Sequence, residues 1–134
     1  MSSKAWSGRR LETRALDVLD AIGRIREYIK NMKLEDYLRD GKTQAAVERE
    51  LEKISEACIK LRSLEENSRV PERSRLERRF PEVPWSEIRG IGNRLRHEYG
   101  RVDAQTIWVT VGASDDLATL ERALLGAFPG QRSD

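Results

Sequence analysis

Residues 84–103 read PWSEIRGIGNRLRHEYGRVD. Within them Trp85, Ile88, Ile91 and Leu95 recur at three- and four-residue steps, the spacing that lays one apolar stripe along a helix. Arg89, Asn93 and His97 follow at four-residue steps. Residues eight apart on a helix differ by about 80° around the axis, so these three share a second face. Gly100 is a natural helix terminator, and Asp103 is suited to cap the helix that follows. His97 is the only histidine of the chain, with Arg89, Arg94, Arg96 and Arg101 around it and Tyr99 two residues beyond. Histidine is the side chain whose ordinary pKa lets it exchange a proton near neutrality. Arginine stays charged and presents a planar fork that matches phosphate. The stretch therefore offers a proton shuttle beside a phosphodiester clamp. A solvated basic helix end accounts for the same residues, because cations are favoured near the C-terminus of a helix.

Outward from this stretch the pattern stays helical. Leu11, Leu16, Leu19, Ile22, Ile25, Ile29 and Met32 predict a helix over 10–32, with Ala15, Val18 and Ala21 widening its stripe. Leu34 to Arg39 reads as one short turn, broken at Asp40-Gly41. Thr43 is placed to cap a helix running to about Leu64, with Val47, Leu51, Ile54, Cys58 and Leu61 on one side. Glu65 to Glu82 is charged and punctuated by Pro71 and Pro81, and Arg73 to Phe80 predicts a helical piece. The last helix starts after Asp103 and carries Ile107, Trp108, Val111, Leu117, Leu120 and Leu124. Gly112 and Ser114-Asp115-Asp116 are placed to bend or interrupt it. Trp85 and Trp108 are expected in packing, either in the core or between subunits. Long helices joined by short connections predict an all-α antiparallel bundle of four to five helices. Residues 1–134 read as a single domain, with 1–9 and 129–134 as loose ends.

Composition narrows the function classes. The chain is 38% hydrophobic and 36% charged, which suits a charge-laced helical domain rather than a disordered segment. Its net charge of +2 is too small to argue for nucleic-acid binding, but the charge is unevenly spread. From Arg69 to Arg101 nine arginines face five glutamates, a local excess that attracts an anionic partner. The single cysteine, Cys58, has no intrachain partner for a disulfide and sits in an apolar row, as a buried thiol does. There is no 18-residue apolar run, no signal-peptide core, no zinc-type Cys/His set, no Walker loop and no Gly-rich dinucleotide turn. These absences predict a cytoplasmic protein that takes no cofactor or metal and does not enter a membrane.

The chain resembles the HepT-like proteins of the HEPN (higher eukaryote and prokaryote nucleotide-binding) superfamily, from about Leu16 to Leu124. The matching blocks are Leu19-Asp20-Ala21-Ile22 with Tyr28, Tyr37-Leu38 through Lys42-Thr43-Gln44, Phe80-Pro81-Glu82-Val83-Pro84-Trp85, and Asn93-Arg94-Leu95 with His97, Tyr99 and Val102-Asp103. The resemblance implies a HEPN-like helical fold and a homodimeric toxin that cuts RNA without a metal. It also implies a partner, an MntA-like nucleotidyltransferase antitoxin that transfers AMP to the motif tyrosine. Carried onto this chain, the motif histidine is His97 and the modified tyrosine is Tyr99. The motif arginine that precedes the asparagine is replaced here by Gly92. Arg94, three residues from His97, is the first candidate for the lost cation. Arg89, Asn93, Arg96 and Arg101 are expected to support the site or bind RNA. Gly92 also keeps a second reading open, in which a catalytically weakened HEPN bundle binds a nucleotide or a nucleotidyltransferase partner without cutting.

Overall fold

The computed structural model describes residues 3–97 and 102–131 of the chain. The described chain is helical with no strand, as its periodicity predicts. Its elements are α1 (Ser3–Ile29), α2 (Leu34–Leu38), α3 (Gly41–Asn67), a 3-10 turn (Glu72–Ser74), α4 (Leu76–Arg79), α5 (Trp85–His97), α6 (Ala104–Trp108), a π turn (Val109–Ala113), α7 (Asp116–Ala127) and a final 3-10 turn (Pro129–Gln131). Helix α1 begins at Ser3 rather than after a loose lead-in through residue 9. The last predicted helix is two helices joined by the π turn, interrupted at the glycine and serine-aspartate positions.

Helices α1 and α3 form the central antiparallel pair. Ala15, Val18, Ile22 and Ile25 of α1 meet Val47, Leu51, Ile54, Cys58 and Leu61 of α3, all buried. Burying each Ile or Leu contributes about 1.5–3 kcal/mol relative to exposure. Of the stripe predicted for α1, Ile22 and Ile25 are buried together with the widening residues Ala15, Val18 and Ala21, whereas Leu16 is left 40% exposed. Small side chains at Ala15, Val18 and Ala21 let α1 lie close to its neighbours. The pair is fastened across its edge by the buried Glu50, whose carboxylate accepts from Arg24 Nε at 2.7 Å and pairs with Lys53 at 3.1 Å. Burial alone would raise the pKa of Glu50, but the two cations hold it below the usual carboxylate range.

The caps follow from local chemistry. Asp40, not Thr43, caps α3. Its carboxylate accepts the Thr43 backbone N–H at 3.0 Å and the Thr43 hydroxyl at 2.7 Å, so Thr43 is the capping donor. The predicted helix over 73–80 is split into the 3-10 turn and α4. A long-range cap starts α4: the buried Glu65 carboxylate accepts the Leu76 N–H at 2.9 Å. Tyr37 of α2 is fully buried and packs against Trp108 at 5.4 Å between ring centroids, which ties α2 to α6. Arg26 of α1 reaches Glu121 of α7 at 2.8 Å.

Helix α5 packs on α3 at one close contact. The Ser55 hydroxyl donates to the Arg89 carbonyl at 2.7 Å and accepts from the Gly92 N–H at 3.2 Å. A Cβ added at Gly92 would stand 2.6 Å from Ser55 Oγ and 2.7 Å from Ser55 Cβ. The hydroxyl can rotate away from such a group but the Ser55 Cβ cannot, so the helices would have to separate.

Two stability predictions follow from these contacts. Gly92→Ala gains about 1 kcal/mol of helix propensity but meets an overpacking cost of about 1–3 kcal/mol. Its denaturation midpoint should fall, and the fall should shrink in a Ser55→Gly background. A Gly92→Ala protein more stable than the parent would refute a limiting contact. Glu65→Ala should cost about 1–3 kcal/mol by orphaning the Leu76 N–H. Burial raises the Glu65 pKa above its ordinary 4.5, against the Leu76 hydrogen bond and the nearby Arg75. The folded state therefore holds that proton longer than the unfolded chain, and stability is lost as pH rises from 4.5 through the folded pKa. Glu65→Gln, which keeps an acceptor, should flatten that part of a stability-against-pH curve.

Candidate active site on the last turn of α5

Helix α5 is held at both its start and its middle. The Trp85 indole N–H donates to the Phe80 carbonyl at 2.9 Å, and the ring is buried in the core as expected for packing. Glu87 stands in the first turn, while Arg94, Arg96 and His97 stand in the last, the charge order a helix dipole favours. Trp85, Ile91 and Gly92 are buried, and Ile88 and Leu95 pack half-buried beside them. With that face turned inward, Asn93, Arg94, Arg96 and His97 are all exposed.

The arginines differ in what they do. Arg89 is half-buried and committed to an ion pair with Glu77 of α4. It lies near Cys58, whose thiol is pushed up to about 12 by burial and by Glu77, with Arg89 opposing. Cys58 is thus a protonated packing group rather than a nucleophile. Arg94 lines a small cleft with Leu51, Glu87, Thr110 and Asp116, on the side of the helix that faces the π turn and α7. Arg96 turns back along the helix. Its Nη1 lies 3.4 Å from the point a Cβ at residue 92 would occupy, so the guanidinium covers Gly92. Tyr99 and Arg101 lie outside the described residues.

The structure thus gathers Asn93, Arg94, Arg96 and His97 on one exposed end of α5 and diverts Arg89 to α4. A hydroxyl-bearing or acidic group could accept from these cations, and a phosphodiester presents both charge and acceptors. Among the described residues no three His, Cys, Asp or Glu side chains gather at metal-binding distances. Two supporting residues escaped the sequence reading. Ser55 stands in the apolar row of α3, between Leu51 and Cys58, and a lone polar residue in such a row is a detectable sign of an internal hydrogen bond. Nothing local marks Glu77 as the partner of Arg89.

No helix of the described chain is long and apolar enough to cross a membrane. No solved structure matches the chain. Among curated proteins, it is 35% identical over 105 residues to "Probable ribonuclease HepT" of Thermococcus cleftensis, covering 78% of this chain and 84% of that protein. It is 32% identical over 94 residues to a protein named as an RNase in Methanocaldococcus jannaschii, covering 70% of this chain and 69% of the relative. Residues 18–125 match the family described as Ribonuclease HepT-like. That span runs from the α1 core to the end of α7 and contains the whole of α5, so the chain belongs to the HepT-like ribonuclease family of the HEPN superfamily.

Proposed function

We propose that this protein is a metal-independent endoribonuclease toxin, with His97 as its proton-transfer group and Arg96 as the cation that takes over from the missing motif arginine. The observation that carries this reading is the Arg96 guanidinium folded over Gly92, one residue from an exposed His97. The family's arginine would project from residue 92. In this chain that space is closed by Ser55, and the charge arrives instead from one turn further along the helix.

The chemistry uses groups of this chain, of a second copy of it and of the RNA. A base removes the proton of a ribose 2′-hydroxyl, and the freed oxygen attacks the adjacent phosphorus. The bond to the 5′-oxygen breaks as an acid delivers a proton to it, leaving a 2′,3′-cyclic phosphate and a 5′-hydroxyl. The phosphorane between these states carries extra negative charge, which Arg96 stabilises with Arg94 in support. One His97 serves as base or acid, and a two-fold homodimer supplies a second copy for the opposite role. Asn93 orients the site by hydrogen bonding.

The partner in this reading is an MntA-like nucleotidyltransferase. It silences the toxin by AMP transfer: the Tyr99 phenol oxygen attacks the α-phosphorus of ATP and pyrophosphate leaves. Gly92 favours one competing reading, a HEPN bundle that binds such a partner or a nucleotide without cutting RNA, because the buried glycine removes the family's phosphate-holding side chain.

Cleavage of a mixed RNA pool by the purified protein in EDTA tests the main reading. His97→Ala should abolish it with dimer and helix content unchanged, and Arg96→Ala should slow it about 10²–10³-fold, the usual loss for one transition-state donor. A larger loss in Arg94→Ala than in Arg96→Ala would assign the cation to Arg94. No cleavage by the parent protein would favour the binding module. Incubation with an MntA-like nucleotidyltransferase and ATP should add AMP-sized mass increments that vanish in Tyr99→Phe. Unchanged intact mass with an active transferase would remove Tyr99 as the modified residue.

A further inference from the structure

Grooves on the described surface differ in the sign of their walls. The groove between the ends of α3 and α4 mixes three arginines with four glutamates. The groove between the middles of α1 and α3 mixes four cations with Asp17, Asp20 and Glu56. A third, between the start of α1 and the end of α3, is different. Arg9, Arg10, Arg14 and Lys60 line it, with Ser63 and Asn67 as neutral hydrogen-bonding groups, and among the described residues no carboxylate is part of its wall. It is an open groove of about 400 Å³. At its rim, where it shares Arg14 and Lys60 with the mixed groove, Arg14 pairs with Asp17 at 3.3 Å and Lys60 with Glu56 at 3.2 Å. Both are exposed pairs within one helix, the kind that an incoming phosphate displaces readily.

The groove is remote from His97. Cys58 lies near Arg89 and Ser55 meets Gly92, so α3 and α5 run antiparallel, and His97 lies toward residue 50 of α3. The groove lies from Lys60 to Asn67. At 1.5 Å per helical residue the separation along α3 is on the order of 15–25 Å.

We propose that this groove is a second binding site, a track for the phosphodiester backbone of single-stranded RNA whose cut point lies at His97. The ligand's identity rests on the RNA-cleaving reading; the site itself rests on its geometry. Four cations spread along an open groove match a repeated phosphate better than a single one, and the Leu64 side chain with the arginine stems gives ribose and base an apolar surface. A strand long enough to span both sites is held in register by contacts that carry no sequence information.

The test compares the parent with Arg10→Gln/Lys60→Gln, both exposed or half-exposed positions outside the cleavage site. Binding is read by fluorescence anisotropy with a 2′-O-methyl RNA of about 20 nucleotides, which lacks the attacking hydroxyl and exceeds the usual track of a few to about 16 nucleotides. The slope of log affinity against log salt should fall by about 1.4, as expected for losing two backbone contacts on a single strand. Cleavage of a dinucleotide, too short to reach the groove, should proceed at the parental rate. An unchanged salt slope overturns the track and leaves the groove to an acidic protein partner. A matching loss of dinucleotide cleavage also overturns it, because the two positions would then act on the cleavage site itself. A parent that binds the long RNA with the predicted slope difference but cuts neither the dinucleotide nor the mixed RNA pool supports the track and fails the nuclease reading of His97.

Discussion

The close approach of α3 and α5 at Ser55 and Gly92 sets the orientation of everything that matters on α5. A serine hydroxyl inside an apolar row is costly unless satisfied, and here it is satisfied twice, as donor to Arg89 and as acceptor from Gly92. Both partners are backbone groups of α5, so the bonds fix the helix in rotation and in register. Rotation decides exposure. Once Gly92 is pressed against Ser55, Trp85 and Ile91 must point inward, and Asn93, Arg94, Arg96 and His97 are left outside. The absence of a side chain at 92 is therefore a packing requirement of this chain.

Three glutamates near the core show how a heavily charged sequence keeps its charges ordered. Glu50 is clamped between Arg24 and Lys53, Glu65 caps α4 through the Leu76 N–H, and Glu77 holds Arg89 against the α3 side of the bundle. Each carboxylate is spent on a backbone donor or a cation, as a partly buried charge must be. The same sorting decides which cations remain for a ligand. Arg89 is withdrawn, whereas Arg94, Arg96 and the groove at the start of α1 keep their positive surface.

The far side of the bundle is built differently. Tyr37 is fully buried with its hydroxyl lacking a hydrogen-bond partner among the described residues, and burial together with Glu48 pushes that phenol up to about 12. Its ring packs on Trp108, just where α6 gives way to the π turn. A π turn widens the helix by one residue, and here it redirects the chain before α7 returns against α1. The result sets Thr110 and Leu117 across a small cleft from α5, without supplying a charged group from the turn itself.

Much of this was legible in the residues alone. The three- and four-residue spacing of apolar side chains determined that the chain is helical and where α2, α3 and α5 lie, because that periodicity is a property of the helix itself. The motif around His97 and Tyr99 identified the family, because the order and spacing of its blocks survive without knowledge of the fold. Local pattern did not decide which edge of the widened α1 stripe turns inward: Ile22 and Ile25 are buried as the spacing predicts, but close helix packing buried Ala15, Val18 and Ala21 beside them and left Leu16 outside. Nor could it separate Arg89, Arg94 and Arg96, which are alike in sequence and lie on one helix. Only the tertiary structure divided them, pairing Arg89 with Glu77, sending Arg94 toward α7 and laying Arg96 over Gly92. The physical reason is that an arginine's role depends on which opposite charge or empty space lies within reach, and both are set by residues far away in the chain.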